Sequence, residues 1–98
     1  MNINKIKNGD KITLAVEGKV DTNTAPKLEE AVKESAVNAK ELIFDLKKLD
    51  YISSVGLRVL LSAQKLMNTH DSMKLINVSK SIMEILEITG FTDILTIK

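Results

Sequence analysis

The sequence predicts a small α/β domain in which a mixed, largely parallel β-sheet of four to five strands is packed with α-helices. Three observations carry that expectation. Strand-like and helix-like apolar patterns alternate along the chain, which calls for right-handed crossovers and parallel pairing. Asn8-Gly9-Asp10, close to the start, suits the tight turn of an antiparallel hairpin. Leu42-Ile43-Phe44-Asp45-Leu46 is almost continuously apolar and too short for a helix, as in a central strand covered on both faces or flanked by neighbours.

The elements follow in order. A weak first strand covers about Ile3 to Lys7. A clearer second one has Ile12, Leu14 and Val16 alternating with Thr13, Ala15 and Glu17, so that one face is buried. From Thr24 to Ala36, apolar residues Ala25, Leu28, Val32 and Ala36 fall at helical spacing. Asp21, Thr22 or Thr24 can cap this helix, and Pro26 fits only in its first turn. After the central strand, the stretch up to Ser53 reads as an irregular loop. A second helix runs from Ser54 to Met67. On helical projection Val55, Val59, Leu60, Ala63, Leu66 and Met67 form a broad side that packs on the sheet, while Leu57 and Leu61 fall beyond its edge and are expected to be exposed. A polar loop, Asn68 to Ser72, leads to a strand over Met73–Asn77. Ser79 caps a third helix ending at Ile88, with Ile82, Ile85 and Leu86 buried and Gly90 closing it. Ile94 to Ile97 reads as a last short strand.

Composition narrows the function. With 98 residues the chain is expected to form one domain over residues 1–98. Its 14 basic and 13 acidic residues are spread evenly and leave a net charge of +1, so no field of one sign attracts DNA, RNA or an anionic membrane. Aromatic residues make up 3%, too few for a platform on which bases stack. No cysteine is present, so disulfides, thiolate metal sites and a cysteine nucleophile are excluded. The N-terminus lacks the apolar run of a secretory signal, and no stretch of 18 apolar residues exists to span a bilayer, so a cytoplasmic location is expected. Neither nucleic acid nor membrane is an expected partner.

An enzyme is not expected either. Hydroxyl attack needs a base, and the single histidine, His70, stands at the far end of the second helix from Ser54. At ~1.5 Å rise per residue those ends lie on the order of 20 Å apart. The chain carries no P-loop, GxGxxG or HExxH motif and no paired Cys/His spacing, so no cofactor or metal is expected.

The most informative stretch is Tyr51-Ile52-Ser53-Ser54-Val55-Gly56-Leu57-Arg58-Val59-Leu60-Leu61, two adjacent hydroxyls at the start of an apolar helix. A helix start leaves four N–H groups unpaired and carries partial positive charge, so a serine there can cap it or, once phosphorylated, hold a phosphate favourably. The residues alone leave both readings open. Leu57 and Leu61, one turn apart, leave open in the same way a partner-binding patch or a wide buried face, and Arg58 beside them either meets an acidic partner group or is solvated. Taken alone, Asp21 is a cap or turn former. Asp45 and Asp50 read as turn acids and Gly18 as a point of close backbone passage.

The serine stretch resembles the serine-containing loop of STAS domains, specifically the small stand-alone anti-sigma factor antagonists of bacterial partner-switching systems. Val16-Glu17-Gly18-Lys19-Val20-Asp21 is similar to the family's strand followed by Gly, any residue, aliphatic and Asp; Leu42–Leu46 is similar to its central strand; and Val78 through Phe91 resembles its late helix and closing turn. Matching Gly56-Leu57 to the family's Gly-Leu implies Ser54 as the phosphorylated residue. It sets Ser53 where those antagonists usually carry Asp, a departure that leaves Ser53 as a rival acceptor. The resemblance also implies that Asp21 lies beside the serine loop and orients the hydroxyl, with Gly56 supporting the site. Asn23 is expected to face the same surface, and the helical projection adds Leu57, Arg58 and Leu61 as the candidate partner-binding residues of the second helix. The implied partner of the unphosphorylated form is an anti-sigma factor that is also an ATP-dependent serine kinase and supplies Mg²⁺ and ATP; a phosphatase is a further partner. A reading from another class is an adaptor subunit of a transporter or scaffold, never phosphorylated, in which the serine only caps the helix.

Overall fold

In the computed structural model the hairpin at Gly9 joins two strands, β1 (Asn2–Asn8) and β2 (Lys11–Val20), in antiparallel register from Asn2↔Glu17 to Asn8↔Lys11. The structure describes residues 1–68 and 72–98. The remaining elements are α1 (Ala25–Ala36), β3 (Glu41–Asp45), β4 (Leu49–Ile52), α2 (Ser54–Asn68), β5 (Ser72–Ile76), α3 (Lys80–Ile88) and a 3-10 turn over Phe91–Asp93. His70 lies outside the described residues.

Strand order is β1-β2-β3-β5, with all pairs after the hairpin parallel. The fifth strand, β4, was not visible in the sequence. It pairs with the second half of β2, Gly18↔Leu49, Lys19↔Tyr51 and Val20↔Ile52, with a register shift between Gly18 and Lys19. Thus β2 runs along β3 as far as Ala15 and then switches to β4. Gly18 is the pivot: its N–H donates to Lys48 O at 3.0 Å, and its φ of 88° lies where a side chain is strained. Asp50, read as a turn acid, is an exposed residue of β4 instead. Asp45 does form a turn, its Oδ1 accepting from Lys47 N–H at 3.1 Å.

The alternation along β2 buries Ile12, Leu14 and Val16, and the same face of the sheet carries Leu42, Phe44, Met73 and Leu75. The core gathers on that face, with Leu28 and Val32 of α1 and Leu60, Ala63 and Met67 of α2 buried in it. Ile43 points the other way and is still only 6% exposed, flanked in register by Thr13 and Lys74; the central strand is therefore flanked by neighbours on that side.

The expected burial of α2 needs two corrections. Leu57 is 5% exposed and belongs to the core, whereas Leu66 is 43% exposed. Because α2 packs against α1 as well as the sheet, its buried arc is rotated and widened relative to a helix resting on a sheet alone. Ser79 caps α3 as expected, accepting from Ile82 N–H at 3.3 Å, and Gly90 follows the helix. The expected last strand reduces to one parallel bridge, Leu75↔Ile97, because residues 91–93 turn as a 3-10 helix first.

Candidate functional site

The parallel pairing of β2 with β4 brings two segments distant in sequence to one edge of the sheet. Ser53 N–H donates to Val20 O at 2.8 Å, so Asp21, which follows Val20, and Ser53, which follows Ile52, leave the sheet side by side. What the chain does next differs on the two sides.

On the serine side, α2 begins at Ser54, which makes Ser53 the N-cap. Its Oγ accepts from Gly56 N–H at 3.3 Å, and its carbonyl accepts from Leu57 N–H at 2.9 Å, the first bond of the helix. Ser53 is half-buried; Ser54, in the first turn, is exposed, and its hydroxyl has no hydrogen-bond partner among the described residues. The two hydroxyls therefore divide the roles that the sequence left open. One serine caps the helix and the other presents a free oxygen above it. No acidic residue stands in the first turn of α2 to oppose negative charge there.

Gly56 permits this geometry. A Cβ at that position would come within 2.6 Å of Ile52 Cγ1 and 2.7 Å of Val20 Cγ1, both in buried β-branched residues at the ends of β4 and β2. Only a residue without a side chain lets the first turn of α2 settle so closely on the strand ends. Gly56 thus supports the site by packing.

On the aspartate side, Asp21 and Thr24 lock reciprocally the turn that leads into α1, and among the described residues no side-chain bond caps the helix itself. Asp21 Oδ1 accepts from Thr24 N–H at 3.1 Å and from Asn23 N–H at 2.9 Å, while Asp21 N–H donates to Thr24 Oγ1 at 2.9 Å. The single hydroxyl proton of Thr24 can go to Lys19 O at 2.9 Å or to Asp21 Oδ1 at 3.2 Å. The carboxyl of Asp21 is held below its ordinary value, chiefly by the Thr24 N–H; partial desolvation acts in the opposite direction, and the Asn23 N–H, the Thr24 hydroxyl and the charge of Lys19 add to the lowering. Among the described residues no hydrogen bond joins Asp21 to Ser53 or Ser54. The pairing of β2 with β4 sets Asp21 beside Ser53 in the backbone, while its Oδ1 is taken up by the Asn23 and Thr24 N–H groups of the turn before α1.

Of the expected partner-binding residues, Asn23 and Arg58 are exposed and Leu61 is half-buried. Leu57 is not available for contact, being part of the core. Tyr51, 46% exposed on β4 opposite Lys19, joins the same edge. Nothing in the sequence announces it: the burial order along residues 49–52 is buried, exposed, exposed, buried, without a strand's alternation. No group of three or more metal-ligating side chains occurs among the described residues, and no helix among them is long and apolar enough to cross a membrane.

Comparison with known proteins agrees with this architecture. The STAS domain profile matches residues 2–98. The anti-sigma-B factor antagonist of Listeria monocytogenes is 37% identical over 100 residues, covering 96% of this chain and 84% of the relative. Among solved structures, an anti-sigma factor antagonist from Mycobacterium paratuberculosis superposes with a TM-score of 0.90 at 20% identity, covering 98% of this chain and 83% of the other. The Bacillus protein SpoIIAA shares the fold in its unphosphorylated form (TM-score 0.84, covering 99% and 88%) and its phosphorylated form (0.78, covering 99% and 91%), both at 11% identity. A sheet that switches strand partner at a glycine, a capped helix start at the resulting edge and a family match along almost every residue lead to one conclusion: the chain belongs to the STAS domain family.

Proposed function

We propose that this chain is an anti-sigma factor antagonist, a non-enzymatic regulator whose partner affinity is switched by phosphorylation of Ser54. The observation that carries the reading is the division of labour between the two serines: with Ser53 capping α2, the exposed Ser54 hydroxyl is free to react without loss of a structural bond. The names of the relatives at 37% identity and the existence of SpoIIAA in phosphorylated form support it.

Unphosphorylated, the edge formed by Asn23, Ser54, Arg58 and Leu61, with Tyr51 beside it, docks an anti-sigma factor that is also a serine kinase. In the transfer, Ser54 Oγ attacks the γ-phosphorus of ATP held by the kinase. The new O–P bond replaces the bond to ADP, and the hydroxyl proton passes to a base of the kinase. The product adds about −1.5 to −2 charges to a surface that the partner had met as a neutral hydroxyl. Burying that charge without a counter-ion costs several kcal/mol, and each 1.4 kcal/mol is tenfold in affinity, so the complex separates while the fold persists. A phosphatase returns the chain to its binding form.

Incubation with the cognate kinase and labelled ATP tests the assignment. Label enters the wild type and the Ser53→Ala variant and is absent from Ser54→Ala; label retained in Ser54→Ala overturns it.

A further inference from the structure

Ser54 and Arg58 stand four residues apart on α2, and both are exposed. Residues at this spacing face each other across one helical turn, with Cβ atoms about 5–6 Å apart. Every Cα–Cβ bond of a helix tilts toward its N-terminus, so a long side chain reaches back over the preceding turn. For Arg58 that turn carries Ser54.

Arg58 is uncommitted. No ion pair or hydrogen bond engages its guanidinium among the described residues, in contrast to Lys11 and Lys74, which hold Glu41, and Lys33, which holds Glu29. Lys19, opposite Tyr51 in register, acts on the Asp21 carboxylate. An acid placed N-terminal to a base at this spacing is the favourable orientation. A planar guanidinium offers a fork of N–H donors that matches two phosphate oxygens, which an ammonium does not.

We propose that Arg58 is the binding residue for the phosphoryl group carried by Ser54, taking it through paired N–H···O hydrogen bonds across the first turn of α2. This rests on the reading that Ser54 is the acceptor. It adds a second consequence of phosphorylation: the docking surface gains a dianion and at the same time loses a cation, because Arg58 turns from the partner to the phosphate.

The experiment installs phosphoserine at position 54 during translation, so that no kinase is needed, and follows the Arg58 Nε–H resonance by nitrogen-proton NMR, with intact mass proving the modification. The proposal expects a downfield shift and slowed solvent exchange of that N–H on phosphorylation. It also expects phosphorylation to alter the unfolding equilibrium constant more favourably in the wild type than in Arg58→Gln, by roughly twofold to fivefold, with Arg58→Lys between them. An unchanged Arg58 signal in the phosphorylated protein, or an equal effect of phosphorylation on wild type and Arg58→Gln, overturns the proposal. If Ser54→Ala still takes label from the kinase, the acceptor assignment fails, and that result is separate from the NMR outcome.

Discussion

Ser53 Oγ stands 3.3 Å from the amide nitrogen of Gly56, and this bond makes Ser53 the cap of α2. The adjacent Ser54 is thereby left with a hydroxyl that has no structural duty among the described residues. The capping bond is the physical basis for ranking the two serines, and it is open to mutation.

Ser53→Ala removes the cap. Its expected cost is about 1 kcal/mol of stability, read as a lower denaturation midpoint at unchanged slope. Ser53→Asp restores an acceptor at the same position and with it most of the loss. Neither change moves the site of label from Ser54. A Ser53→Ala protein of wild-type stability contradicts the capping role.

Gly56→Ala sets two effects against each other. Alanine in place of glycine favours a helix by up to about 1 kcal/mol. Against this, a methyl group within 2.7 Å of buried Ile52 and Val20 atoms forces the helix start off the strand ends, at about 1–3 kcal/mol. The net expectation is destabilisation, measured by urea denaturation, together with weaker kinase labelling of Ser54. A variant more stable than wild type contradicts the close approach.

Asp21 gives the turn into α1 a dependence on acid. Its folded carboxyl titrates below the ordinary 3.8, so the stability it contributes is fully present above that value and is lost as pH falls through the folded one. Denaturation midpoints measured from neutral pH down to about pH 2 are expected to fall more steeply for the wild type than for Asp21→Asn, whose amide oxygen can still accept the Thr24 N–H but does not titrate. Identical profiles for the two proteins contradict the assignment.

Leu57→Ala separates burial from contact. As a core residue, Leu57 is expected to cost about 2–5 kcal/mol of stability when truncated. The fraction of protein that remains folded binds the partner with near wild-type affinity. A stable variant with weakened binding places Leu57 in the interface after all.

Local signals in the sequence foretold most of the fold, and what they missed depended on tertiary arrangement. Ser79 was readable as a cap because Ser followed by an apolar helical pattern states the chemistry on its own. The strand β4 was not readable. Its pairing exists only because β2 bends at Gly18, and its burial order follows that register shift and no period of two. Leu57 and Leu66 exchanged places because a helical projection assumes one packing partner, whereas α2 has two. At the site, sequence reached the helix start but not the choice of cap. Ser53 and Ser54 differ by a single position, whereas apolar spacing marks a helix start only to within a residue or two, and the cap is decided by which hydroxyl meets the Gly56 N–H. The bonding of Asp21 is not legible in the sequence, because the N–H groups of Asn23 and Thr24, in the turn before α1, claim Oδ1 first.

One phosphoryl group on Ser54 is expected to change what docks while the fold stands. Calorimetric titration of the cognate anti-sigma factor into unmodified and Ser54-phosphorylated protein measures this directly, with far-ultraviolet circular dichroism confirming that both are folded. The expected result is affinity weakened by about a hundredfold or more on phosphorylation, and a large loss for Ser54→Asp in the same direction. Affinities within about twofold of each other in two folded proteins contradict the switch and favour an adaptor in which Ser54 is an ordinary surface residue.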